Sequence, residues 1–170
     1  GNVFLYYGEE LGMKGSGKDE NKRAPMYWSK DGNAEGMCKG PADMDDFRMK
    51  FDSLEEQQED PDSIYNYVKQ VIRVRNQNPV IARGTTAYLE QYSGEQCFAM
   101  TRSDENSSLL MLGNTSAETA TVDLTGLTVG GTTAEELVLL GELYTGEEIA
   151  ERAGTVVTLP AYSILILGEE

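Results

Sequence analysis

The spacing of hydrophobic positions along this chain changes twice, and each regime predicts a different kind of structure. Val3-Phe4-Leu5-Tyr6-Tyr7 is a continuous apolar and aromatic run closed by Gly8, the pattern of a strand covered on both faces inside a parallel sheet. No βαβ partner follows it, so the later residues do not supply the sheet such a strand belongs to. From Gly12 to Asp60 no period of two or 3.6 is sustained, and Gly, Lys, Asp and Asn dominate. A connection this long is expected to be functional, disordered or part of a lost context. Residues 60–78 then predict an amphipathic helix, because Ile64, Val68, Val71, Ile72 and Arg75 recur at spacings of three and four. Asp60 or Asp62 offers a cap, Pro61 suits the first turn, and Pro79 ends the helix by restricting Asn78.

Beyond residue 85 the period shortens to that of strands. Apolar or alternating runs are predicted at Thr86–Tyr92, Gln96–Arg102, Ser108–Gly113, Thr119–Leu124, Leu137–Leu140, Thr155–Leu159 and Ser163–Leu167, with a short additional one at Glu147–Ala150. Ser93-Gly94, Asn106-Ser107, Gly130-Gly131 and Ala153-Gly154 mark turns between them. Closely spaced strands without intervening helices imply an antiparallel sandwich or barrel. No tandem repeat or low-complexity tract interrupts the pattern.

Composition narrows the partners. Fourteen Lys and Arg against 29 Asp and Glu give a formal charge of −15 and a pI near 4.3. A surface of that sign repels phosphate backbones and anionic lipid, so neither nucleic acid nor membrane is an expected partner. No run of 18 apolar residues and no cleavable leader pattern occurs. The compartment stays open, with extracellular favoured over cytoplasmic. Between Asp43 and Asp60 eight acidic residues face only Arg48 and Lys50, which reads as a solvated surface segment in preference to a calcium site. Cys38 and Cys97 match no metal spacing and are expected to be free thiols, Cys97 inside a strand. The chain contains no histidine, which removes His-based triads and most zinc sites, so no cofactor or metal is expected.

Four segments within residues 1–84, and a further one near the C-terminus, carry a family resemblance. Val3-Phe4-Leu5-Tyr6-Tyr7-Gly8-Glu9-Glu10-Leu11-Gly12-Met13 resembles the strand-eight signature of the α-amylase superfamily, the family 13 glycoside hydrolases. Arg23-Ala24-Pro25-Met26-Tyr27-Trp28 is similar to the R-x-P-M-x-W segment of the loop that follows, and Asn33-Ala34 and Gly36 come next. Asp60-Pro61-Asp62-Ser63, with Arg73-Val74-Arg75 and Asn78-Pro79, resembles the start and end of the last barrel helix. Leu159-Pro160-Ala161-Tyr162-Ser163 is similar to the approach to the final strand of the all-β domain C. The resemblance implies a mainly β chain: an antiparallel Greek-key β-sandwich of about seven or eight strands, preceded by an α-helix and an irregular barrel remnant. Residues 1–84 would be the remnant of a (β/α)8 barrel, with strand eight, an active-site loop and the final helix 60–78. Residues 85–170 would be domain C.

The resemblance further implies a C-terminal fragment of a retaining α-amylase or α-glucosidase acting on α-glucans. Such enzymes use two carboxyl groups roughly 5–5.5 Å apart. The family's catalytic carboxylates lie on earlier strands, so no catalytic residue is assigned, and the chain alone is expected to be inactive. Its partners would be an α-glucan oligosaccharide and the missing N-terminal barrel; exposed barrel surface would fold back over the sandwich or drive self-association. Arg23, Trp28 and Tyr7 are the candidate substrate contacts. Arg23 leads, since a guanidinium holds two hydroxyls or an orienting carboxylate. Trp28 reads more readily as a buried anchor, and Tyr6 and Tyr7 as barrel packing. Glu9 and Glu10, adjacent in sequence, point apart and are read as loop anchors. Two alternatives remain: an independent α-glucan-binding module using Tyr88, Tyr92, Tyr144 or Tyr162, and part of a glucosyltransferase or isomerase on the same scaffold. The favoured role of the sandwich is structural support of the barrel.

Overall fold

A computed structural model describes residues 2–46 and 48–169. They form two compact units, Asn2–Lys69 and Gln70–Glu170. Gly1, at the start of the predicted barrel remnant, lies outside the described residues. Among those described, no helix is long and apolar enough to cross a membrane.

The first unit contains little regular structure. Helix α1 (Leu54–Glu59) opens with a capping box in which Ser53 Oγ accepts from Glu56 N and the Glu56 carboxylate accepts from Ser53 N. This one-turn helix falls inside the stretch expected to lack periodicity; the Ser-x-x-Glu signal marks it, whereas six residues are too few to show a period. Helix α2 (Ile64–Gln77) follows. Its cap is Ser63, whose Oγ accepts from Asn66 N at 3.2 Å, and not Asp60 or Asp62. Asp60 instead turns the chain by accepting from Asp62 N at 3.0 Å. Buried polar groups organise this unit. Gln57, 4% exposed, donates to Leu11 O and Asp52 O at 3.0 and 2.7 Å and accepts from Tyr65 N at 3.0 Å.

Val3–Tyr7 is not a strand. The run is exposed, Phe4 by 89%, because among the described residues no neighbouring strand offers it backbone partners, and an isolated strand has no ladder to stabilise it.

The second unit is mainly β. It holds the C-terminal half of α2, the short α3 (Val80–Arg83), and ten strands. These are β1 (Thr85–Tyr88), β2 (Cys97–Ser103), β3 (Ser108–Asn114), β4 (Ala120–Asp123), β5 (Thr128–Val129), β6 (Thr132–Thr133), β7 (Val138–Leu143), β8 (Glu151–Ala153), β9 (Val156–Leu159) and β10 (Ile164–Gly168). One sheet runs β1-β2-β3-β10-β7, a second β4-β9-β8, and β5-β6 is a small hairpin around Gly130-Gly131. Every pairing is antiparallel. The inward faces share one apolar cluster, including Ala99, Leu110, Leu112 and Leu167 from the larger sheet and Val122, Val157 and Leu159 from the smaller. This is the expected sandwich, with β10 inserted between β3 and β7.

Differences from expectation are local. Glu90–Tyr92 is a 3₁₀ turn and not the end of β1, and the strand expected at Glu147–Ala150 lies at Glu151–Ala153. Val74, outside the predicted helix face, is 7% exposed. It packs where a Cβ on Gly141 would come within 2.8 Å of its Cγ1, so the β7 glycine lets the helix approach the sheet. Cys97 is buried in β2, Cys38 is exposed, and both are free.

Candidate functional site

The residues singled out as substrate contacts all lie in the first unit, on two irregular segments. The first is a turn. Gly8 adopts φ +88°, Leu11 N and Met13 N both donate to Gly8 O, and Glu9–Leu11 forms a 3₁₀ turn. The adjacent carboxylates serve this turn: Glu9 Oε2 accepts from Tyr6 N at 3.2 Å and Glu10 Oε2 from Gly8 N at 2.8 Å. Each is held on backbone donors of its own loop, so the two do not form an acid and nucleophile pair.

The turn is tied to the second segment through Tyr7. Its hydroxyl donates to Ala24 O at 2.9 Å, and its ring lies 4.6 Å from that of Tyr6 with a 39° tilt. Partial burial first, and then its hydrogen bond and proximity to Tyr6, raise the Tyr7 pKa; the nearby Arg23 charge works in the opposite direction. Tyr7 and Arg23 are therefore brought together. Arg23 is half exposed and lies 3.7 Å from Asp19 and 3.8 Å from Glu20, distances at which solvent-exposed pairs contribute little. A recess of about 190 Å³ opens beside the rings, lined by Tyr6, Tyr7, Lys14, Asn21 and Lys22 among others.

Trp28 stands apart from that recess. Its backbone N donates to Met26 O and its carbonyl accepts from Glu55 N, fixing the segment against α1. Its side chain is 42% exposed, which corrects the reading of a buried anchor: too little apolar structure surrounds it to exclude water. Tyr6 and Tyr7 are likewise 55% and 44% exposed and not packed in a core. A larger hollow of about 670 Å³ has a soft floor of Met26, Met37, Met44 and Met49. Among the described residues no three acidic or thiol groups converge as a metal site.

Sequence patterns gave no sign of Asn21. It is 7% exposed and holds the segment before Arg23, donating to Ser16 O and Asp45 Oδ2 at 2.8 Å each and accepting from Asp45 N at 2.9 Å. The hydrogen bond from the Asn21 amide to Asp45 Oδ2, and then Lys18, hold the Asp45 carboxyl below its ordinary pKa. A single polar residue in an aperiodic stretch carries no signal of burial.

Comparisons with known proteins bear on the family and the fold. Residues 1–84 match the family model described as alpha amylase, catalytic domain. Alpha-amylase 3 of Dictyoglomus thermophilum is 32% identical over 84 residues, which cover 49% of this chain and 17% of that protein. A cyclomaltodextrinase of Geobacillus thermopakistaniensis is 27% identical over 171 residues, covering 100% of this chain and 23% of that protein. Among solved structures, Eubacterium rectale Amy13B superposes with a TM-score of 0.91 at 40% identity over 100% of this chain and 32% of its own. Fold and motifs together point to the same class as the family model. Residues 1–84 belong to the α-amylase family, and the chain spans a third or less of the length of each of these relatives.

Proposed function

We propose that this chain forms part of a retaining glycoside hydrolase acting on α-glucans, with residues 1–84 belonging to the catalytic barrel and 85–170 to an accessory domain C that supports it. Arg23 is the leading substrate contact, with Tyr7 shaping the recess beside it and Trp28 offering an aromatic face. The observation that carries this reading is the Tyr7 hydroxyl on Ala24 O, which couples the YYGEE turn to the residue after Arg23. Neither Glu9 nor Glu10 is free for acid or nucleophile work, and the chain by itself hydrolyses nothing. The sandwich has its own apolar core, consistent with a supporting role.

The test is isothermal titration with maltoheptaose beside a reducing-sugar assay. No turnover is expected from the 170-residue chain, and turnover would overturn the assignment of the catalytic carboxylates to residues outside it. In a longer polypeptide carrying the preceding barrel strands, Arg23→Ala is expected to raise KM and lower kcat/KM; unchanged kinetics would remove Arg23 from the site.

A further inference from the structure

The chain scatters its 14 cations among 29 acidic residues, yet three of them meet in the first unit. Lys14, Arg48 and Lys50 line one pocket of about 210 Å³, in which the described lining residues include a single carboxylate, Asp52. Tyr27 and Phe51 give the pocket an aromatic side. Among the described residues none of the three cations takes part in an ion pair, although Lys18, Arg23 and Lys30 of the same unit do.

Backbone contacts build this convergence. Lys14 is far in sequence from Arg48 and Lys50, and Gln57 joins their segments by donating to both Leu11 O and Asp52 O, at 3.0 and 2.7 Å. Gly12 lets the segments close further. It holds φ +69°, and a Cβ there would come within 3.0 Å of the Phe51 ring and 2.7 Å of Ile64 Cδ1, so a larger residue would push Lys14 away from the others. Tyr27 is fixed beside them, its carbonyl accepting from Leu54 N at 2.9 Å.

Like charges gathered without partners repel one another, and a bound anion relieves that repulsion. Against Asp52 the three cations leave two positive charges uncompensated. A phosphate monoester matches that excess, with a charge of about −1.5 to −2 near pH 7 and three strong acceptor oxygens; a carboxylate brings one charge and two oxygens. The volume lies below the roughly 300 Å³ at which drug-sized sites begin, so the occupant is small. Asp43, Asp45 and Asp46 precede Arg48 along the chain and repel an extended polyanion.

We infer that this pocket binds the phosphate group of a small phosphorylated ligand, a sugar phosphate, with Lys14, Arg48 and Lys50 as the groups that hold the anion. The choice of a sugar as the carrier rests on the proposed function, and the choice of phosphate does not. No bond is made or broken at this site.

The test is nuclear magnetic resonance of the amide-labelled full chain at low ionic strength, titrated with glucose 6-phosphate and separately with inorganic phosphate, glucuronate and glucose. Glucose 6-phosphate is expected to move the amides of residues 11–16 and 48–52 saturably and to bind more tightly than inorganic phosphate. Glucuronate is expected to bind about tenfold more weakly than glucose 6-phosphate, and added salt to weaken both. The double variant Lys14→Gln with Arg48→Gln is expected to lose about tenfold in affinity, and Lys39→Gln, an exposed lysine outside the pocket, to lose none. Equal affinity for inorganic phosphate would overturn the sugar carrier, and equal affinity for glucuronate would overturn the phosphate. No saturable shift at residues 11–16 and 48–52, or an equal loss from Lys39→Gln, would overturn the site; if the double variant does not fold, the shifts of the unaltered chain decide. None of these outcomes touches the α-glucan reading, which maltoheptaose and turnover decide.

Discussion

The side-chain amide of Gln57 donates to the carbonyl of Leu11 across 3.0 Å, joining helix α1 to the YYGEE turn. The same side chain also bonds Asp52 O and Tyr65 N, so one residue satisfies three backbone groups that no helix or sheet provides for. Gln57→Leu keeps similar bulk but removes all three bonds. It is expected to destabilise the first unit by about 1–3 kcal/mol, since buried groups are left unpaired. Hydrogen exchange at Tyr65 N–H should accelerate, and unchanged protection would show that Gln57 is dispensable.

Glu56 couples the α1 cap to pH. Its bond to Lys30 first, and then those to Ser53, lower its pKa from 4.5 to about 2. A carboxyl depressed in the folded state contributes stability above its unfolded pKa and loses it as pH falls toward the folded value. Fraying of Leu54–Glu59 is therefore expected between pH 4.5 and about 2. Glu56→Gln should remove that pH dependence in the chemical shifts of residues 53–57, and a dependence that persisted would assign it elsewhere.

Tyr144 behaves with the opposite sign. Its hydroxyl donates to Glu142 Oε2 at 2.8 Å and accepts from Ala150 N at 2.9 Å, closing the β7–β8 loop. Burial is the largest cause raising its pKa from 10.0 to about 12, and the Glu142 charge adds to it. The folded state therefore holds this proton more tightly than the unfolded chain, so the associated stability is present below pH 10 and is lost as pH rises toward about 12. An ultraviolet phenolate titration should show a component ionising near pH 12 that is absent in Tyr144→Phe. If all tyrosines ionised together, this loop closure would be excluded.

Close approach of α2 to β7 depends on Gly141. A methyl group there would sit 2.8 Å from Val74 Cγ1, so Gly141→Ala is expected to cost about 1–3 kcal/mol by overpacking. Combining it with Val74→Ala should recover part of that loss in urea denaturation. Strict additivity of the two changes would mean that the contact carries no energetic coupling.

What the sequence by itself determined was local and periodic. Alternation and turn residues placed β2, β3, β4, β9 and β10 within a residue at each end, because an inward face and a tight turn each leave a mark on neighbouring positions; the two-residue β5 and β6 are too short to show alternation. Pro79 and the spacing of Ile64, Val68 and Val71 located α2, and the four family segments located the candidate loop. Only the tertiary structure decided the rest. Val3–Tyr7 has the composition of a strand, but a strand exists only when another backbone pairs with it, and among the described residues none does. The burial of Asn21 and Gln57, the exposure of Trp28 and the left-handed turn at Tyr162 all depend on groups distant in sequence, and such dependence leaves no periodic trace.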